Sequence, residues 1–161
     1  MDTVTIIGCI GHAWYSDVIK KVEHGTYTHI AGIILNSTLE AQGIKDDGDK
    51  YAGVWLHPPD KYIDGQDCKS FTIEVEDLRA MEDLTRKFLG TLYGFPDCMD
   101  AGLKMLFNID APTDGTKTMM CSETWDRLLT AGKPHNIVLP DFKPDFVAPQ
   151  RLIDAISGGA L

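Results

Sequence analysis

The chain has 161 residues, 43% of them apolar and 24% charged, which suffices for a packed core and reads as a single domain over 1–161. Its formal net charge is −9, from 24 acids against 15 bases. Neither a nucleic-acid backbone nor an anionic membrane surface is therefore an expected partner, because both need a basic footprint. No apolar run approaches the ~20 residues of a membrane helix. The opening MDTVTIIGCIGHAW lacks the basic and long apolar regions of a signal peptide, so a cytoplasmic location is expected.

In chain order, TVTIIGCI at 3–10 reads as a buried strand. WYSDVIKKVEHG follows as a short helix, with Ser16 as cap, Val18, Ile19 and Val22 as its apolar face and Gly25 as its stop. YTHIAGIILNS is mostly apolar and predicts a central strand, with Asn36–Ser37 as its turn and TLEAQGI as the returning strand. KDDGDK at 45–50 reads as a solvated loop. YAGVWLHPP gives the next strand, ended by Pro58–Pro59, and KSFTIEVE another. The period then changes. VEDLRAMEDLTRKFLGTLYG puts Leu78, Met81, Leu84, Phe88 and Leu89 on one helical stripe, with acids early and Arg86 and Lys87 late, as the helix dipole prefers. DAGLKMLFN is a candidate short helix, and DAPTDGTK breaks the chain. CSETWDRLLTAG forms a helix from near Cys121, with Trp125, Leu128 and Leu129 at helical spacing and Gly132 as its end. PHNIVLP is a candidate short strand, and APQRLIDAIS a last helical turn or two. Strands early and helices late indicate an α+β domain with a largely antiparallel sheet.

The four cysteines, Cys9, Cys68, Cys98 and Cys121, show no C-x-x-C spacing and read as free thiols in a reducing compartment. Cys121 stands apart because it opens a helix, where backbone dipoles favour a thiolate. The ordinary reading of such a residue is a small apolar filler. A nucleophilic thiol needs an imidazole within hydrogen-bonding reach and a third polar group to orient it. Of the five histidines, His12 and His24 flank the first helix, His57 precedes Pro-Pro, and His135 follows a Gly-Lys-Pro turn. His29 instead opens the most apolar strand, THIAGIIL. The commonplace reading there is a satisfied histidine at the rim of the core.

Taken together, YTHIAGII, the LEA that follows it, GTLYGF, CSETW with its later AG, and PDFVAPQRLIDA resemble one family in their order. They are similar to the circularly permuted papain-like cysteine hydrolases, the YiiX-like relatives of the NlpC-type cell-wall peptidases and of the lecithin retinol acyltransferases. The resemblance runs from about Trp14 to Ile153. It implies a permuted papain-like fold, with a mostly antiparallel sheet packed against a nucleophile-bearing helix, and a thiol hydrolase that uses no cofactor. Carried over residue by residue, Cys121 would be the nucleophile, His29 the general base and Glu40 the group that orients it. Tyr93 would be a tyrosine near the reaction centre, a candidate for oxyanion or substrate contact. Two departures stand out: Thr28 replaces the usual serine, and the segment from Pro96 to Lys117 is longer than the pattern expects, which would reshape a substrate groove.

The substrate class so implied is an amide, in peptidoglycan stem peptides or in another peptide or acyl-amide, cleaved by a cysteine peptidase or amidase. Small size and the lack of a wall-binding module suit a phage- or virion-associated enzyme. The rival reading keeps the papain-like fold for binding or phage-particle assembly without catalysis.

Strand geometry adds its own constraints. Tyr27, His29, Ala31 and Ile33 share a face by alternation, and small Ala31 and Gly32 would let a helix end approach. With a turn at Asn36–Ser37, Glu40 lies opposite Ile33, on the correct face but roughly 13 Å along the strand from His29. Contact would then require twist, a bulge or a longer turn, and Gln42 stands as the alternative orienting group. Glu123 is expected to complement the helix dipole rather than to react, and helix-start N–H groups are better oxyanion donors than Tyr93. YGFPDCMDAG offers an unpermuted assignment with Cys98 and His135. It ranks behind, because PHNIVLP is short and broken by proline. The dispersed cysteines and histidines show no zinc-ligand spacing, and no phosphate-binding or dinucleotide motif occurs, so no metal or cofactor is expected.

Overall fold

The computed structural model describes residues 1–10, 25–62, 65, 67–94, 117–141, 143–144 and 147–158. The expected helix over 14–25, the candidate helix DAGLKMLFN, and His12, His24 and Cys98 lie outside the described residues, Gly25 excepted. Seven strands form one sheet: β1 (Asp2–Cys9), β2 (His29–Ile34), β3 (Ser37–Gln42), β4 (Gly53–His57), β5 (Cys68–Val75), β6 (Leu92–Tyr93) and β7 (Thr118–Met119). Their spatial order is β5-β1-β2-β3-β4-β6-β7. Every pairing is antiparallel except β6 with β7. Three helices complete the described part: α1 (Leu78–Phe88), α2 (Cys121–Gly132) and α3 (Pro149–Ile156). The molecule is thus a mixed α+β protein, and β2, the apolar strand, lies between β1 and β3 inside the sheet.

Alternation divides the sheet into two faces. One is apolar and covered by helices: Ile6, Ile30, Leu39 and Val54 from the strands join Met81 of α1, Trp125, Leu128 and Leu129 of α2 and Leu152 of α3 in one buried cluster. Gly32 is the contact point for α2, since a Cβ there would lie 2.6 Å from both the Trp125 indole and the Thr5 carbonyl oxygen. The other face carries Cys9, His29, Ala31, Glu40, Trp55 and His57, as the strand registers require.

Several details depart from the sequence reading. The β2–β3 turn is Leu35–Asn36, both with φ 54°, closed by the pair Ile34 and Ser37. Two left-handed central residues suit the twist of a two-residue hairpin, but leucine seldom takes that conformation, so Asn36–Ser37 looked the better turn. PHNIVLP is not a strand; only Pro134 bridges to Val75. Leu89 is the C-cap of α1 and is exposed, whereas Thr85 is buried on the stripe. Cys9 and Cys68 are not free thiols but a disulfide. They face each other directly in the β1–β5 register with Cα atoms 4.1 Å apart, a proximity that a separation of 59 residues does not signal.

Candidate active site

Cys121 is the first residue of α2, where N-terminal backbone dipoles stabilise negative charge. The helix start is tied down locally. Glu123 Oε2 accepts from the Met120 N–H at 3.4 Å, and Arg127 holds Glu123 Oε1 at 2.8 Å through Nη2. Ser122 Oγ donates to the Val147 carbonyl at 2.5 Å, fixing the turn to the segment before α3. Glu123 is therefore buried structure, as its place in the first turn suggested. The Cys121 thiol is itself buried.

His29 opens β2, and its entry is set from the C-terminal helix. Gln150 Oε1 accepts from the N–H groups of Thr26 and Tyr27 at 2.7 and 3.0 Å. His29 Nε2 and Glu40 Oε2 are 2.7 Å apart. The observed register puts Glu40 opposite Ala31, not Ile33, which shortens the separation along the strand to two residues. Glu40 and His29 become diagonal neighbours on one face, a spacing of about 7–8 Å that long side chains span. With Nε2 committed to Glu40, Nδ1 is the nitrogen left for the sulfur, and Cys121 lies close enough to His29 to act on its charge. The structure thus brings Cys121, His29 and Glu40 together.

The charge states follow from these contacts. Burial works against a charged His29, but its interactions with Cys121 and Glu40 outweigh it and raise the imidazole to about 10. Burial likewise opposes ionisation of Glu40, yet His29, then Lys61 and Tyr62, hold its carboxyl at about 2. The site is poised as a charged imidazole held by an ionised carboxylate beside the Cys121 sulfur.

Three side chains around Glu40 had no signal in the sequence. Tyr62 Oη donates to Glu40 Oε2 at 2.6 Å, and its ring centroid lies 6.1 Å from that of His29. Burial and the Glu40 charge keep this phenol protonated, so it remains a donor. Lys61 Nζ donates to Glu40 Oε1 and to Asp46 Oδ2. His57, one strand away, places Nε2 3.4 Å from Glu40 Oε1. Lys61 and Tyr62 follow a Pro-Pro-Asp turn with no periodicity, so only the return of that loop over the sheet reveals them.

The other candidates fall elsewhere. Gln42 turns to Asp49 and Lys61, with Nε2 3.3 Å from Asp49 Oδ2 and Oε1 3.4 Å from Lys61 Nζ. Tyr93 is buried on β6 in the cluster that includes Cys121, and β6 runs beside β7, which leads into α2. His135 is exposed and bonded through its backbone to Glu74 at the far end of β5 from Cys68. It takes no part in this cluster.

The fold and the grouping together define an α+β protein in which a helix-opening thiol meets a sheet-borne histidine and carboxylate. No protein-family model matches the chain, and no curated protein matches it. Among solved structures it is similar to the metalloprotein YiiX of Escherichia coli O157:H7, with a TM-score of 0.61 and 17% sequence identity, over 96% of this chain and 92% of that one. The chain has a YiiX-like fold.

Proposed function

We propose that the protein is a thiol hydrolase of the permuted papain-like type, a cysteine peptidase or amidase. The observation that carries this reading is His29, held by Glu40 at 2.7 Å and lying beside Cys121. In the proposed reaction His29 takes the proton of Cys121, the thiolate so formed attacks an amide carbonyl, and N–H groups at the start of α2 face the developing oxyanion. His29 gives its proton to the leaving amine, and water activated by the same imidazole then releases the acyl group. Glu40 keeps the imidazole in one tautomer and offsets its charge, and Tyr62 keeps Glu40 in place. Peptidoglycan stem peptides are the substrate class the family resemblance favours, with other peptide or acyl-amides next. A disulfide at Cys9–Cys68 suits an oxidising compartment or a virion better than a reducing cytoplasm.

The test is the rate of Cys121 alkylation against pH in the wild type and His29→Ala, with a melting curve for each. The expected result is a loss of reactivity near pH 7 in a protein that still folds. Identical pH profiles would remove His29 from the chemistry and leave a papain-like fold used for binding or particle assembly.

A further inference from the structure

The polar face holds a second cluster that shares only Glu40 with the hydrolase reading. Glu40, Asp46 and His57 each offer a donor atom, all within 4.8 Å of one another. They come from β3, the loop after it and the end of β4, so their dispersal along the chain conceals a convergence in space. Close carboxylates alone do not make a site. The independent sign is His57: its side chain is only 8% exposed, yet Nε2 makes no hydrogen bond among the described residues. That orphaned nitrogen lies 3.4 Å from Glu40 Oε1 and 3.8 Å from Asp49 Oδ2, and the ring's Nδ1 lies 3.8 Å from Asp46 Oδ2. A separation near 3.4 Å is about the edge of a tetrahedron drawn around a metal ion with bonds of ~2.05 Å. One imidazole and two carboxylates are ligands for a divalent transition ion rather than for calcium.

An open depression lined by Asp46, Asp47, His57, Pro58, Asp60 and Lys61 leads to the cluster from solvent, which supplies an entry path. The space is already served by a cation, because the Lys61 ammonium contacts both Glu40 Oε1 and Asp46 Oδ2. Its side chain is 20% exposed, so it can swing out toward the depression. Asp49 stays in place to brace the loop, accepting from the Asp46 N–H at 3.1 Å and from Gln42 at 3.3 Å.

From this geometry we infer that Glu40, Asp46 and His57 form a binding site for one divalent transition-metal ion, which competes with the Lys61 ammonium for the same carboxylate oxygens. The two occupants are exchangeable, and both sit on Glu40 Oε1 while His29 and Tyr62 keep Oε2. The ion therefore lies one carboxylate away from the imidazole.

The experiment is titration of the full chain with Mn²⁺, followed by loss of the free-ion EPR signal. Mn²⁺ suits oxygen and imidazole donors and has little affinity for thiols. One site is expected in the wild type. Lys61→Met should bind at least tenfold more tightly, because the competing cation is gone, and His57→Ala at least tenfold more weakly. Asp46→Asn, at a partly exposed position, reads the same loss should His57→Ala fail to fold. Absence of binding in both wild type and Lys61→Met overturns the site. Equal affinity in wild type and Lys61→Met overturns the competition. Affinity unmoved by His57→Ala or Asp46→Asn places the ion elsewhere and also overturns it. Repeating the titration in Cys121→Ser separates this result from the hydrolase proposal, since ion binding should persist whether or not the thiol reacts.

Discussion

The helix-covered face of the sheet and the face that carries His29 hold their side chains in place by different means. On the first, Ile6, Ile30, Leu39, Trp125, Leu128 and Leu129 are fully buried, and the contacts are many, small and non-directional. On the second, one carboxylate organises the geometry: Glu40 receives His29 and Tyr62 on one oxygen and Lys61 on the other. A substitution on the first face should therefore cost stability in proportion to volume. One on the second should alter reactivity first, because it removes a direction rather than a volume.

The sharpest way to break this contrast lies at Trp125, which packs on Gly32. Trp125→Ala should lower stability by about 3–5 kcal/mol in chemical denaturation. A loss below ~1 kcal/mol would mean that the helix face is not the core. Gly32→Val attacks the same contact from the sheet, where the carbonyl of Thr5 at 2.6 Å cannot move aside cheaply. It should cost more than the 1–3 kcal/mol typical of overpacking.

Asp126 is a charged exception on the buried side, 3% exposed with Oδ1 unpartnered among the described residues. Burial raises its carboxyl to about 6, against the lowering influence of Arg127. A raised folded-state pKa stabilises the protein below the unfolded value near 3.8, and that stabilisation is lost as pH rises through about 6. Asp126→Asn should accordingly raise stability at pH 8 by roughly 3 kcal/mol, and most of the gain should be gone by pH 4. Thermal melts at the two pH values measure it, and a destabilised variant at pH 8 would point to an unseen partner for the carboxylate.

On the polar face the expected effects on stability are smaller and those on chemistry larger. His29→Ala should slow alkylation of Cys121 near pH 7 by about tenfold, equivalent to ~1.4 kcal/mol. Its melting temperature should change less than that of Trp125→Ala. Tyr62→Phe removes one donor from Glu40 and keeps the ring, so a loss of about 1 kcal/mol in stability is expected. A drop of a few-fold in Cys121 reactivity should accompany it. Should Tyr62→Phe alter melting but leave the alkylation profile untouched, the phenol would be a support for the fold and not for the imidazole.

Much of this was legible in the chain. THIAGIIL announces a buried strand with a polar ring at its mouth, and CSETWDRLLTAG announces a helix that begins at its thiol; both describe the structure closely. The pairing of Glu40 with His29 was legible only in parity. The turn sits one residue earlier than the sequence suggested, and each step of a hairpin turn shifts the register by two, so a small error there displaced Glu40 by two residues of strand.

What the sequence by itself determined was local: strand and helix identity, the buried stripe of α2, and the placement of His29 and Cys121 at the starts of their elements. Those features depend on periods of 2 and 3.6 residues and on helix ends, which short windows of sequence encode. The tertiary structure alone decided which groups meet. The Cys9–Cys68 pair, the clamp of Lys61 and Tyr62 on Glu40, and the convergence of Asp46 and His57 upon it all join residues through strand register and the return of loops over the sheet. Those contacts arise from long-range pairing, in which a slip of one residue would turn every side chain to the opposite face.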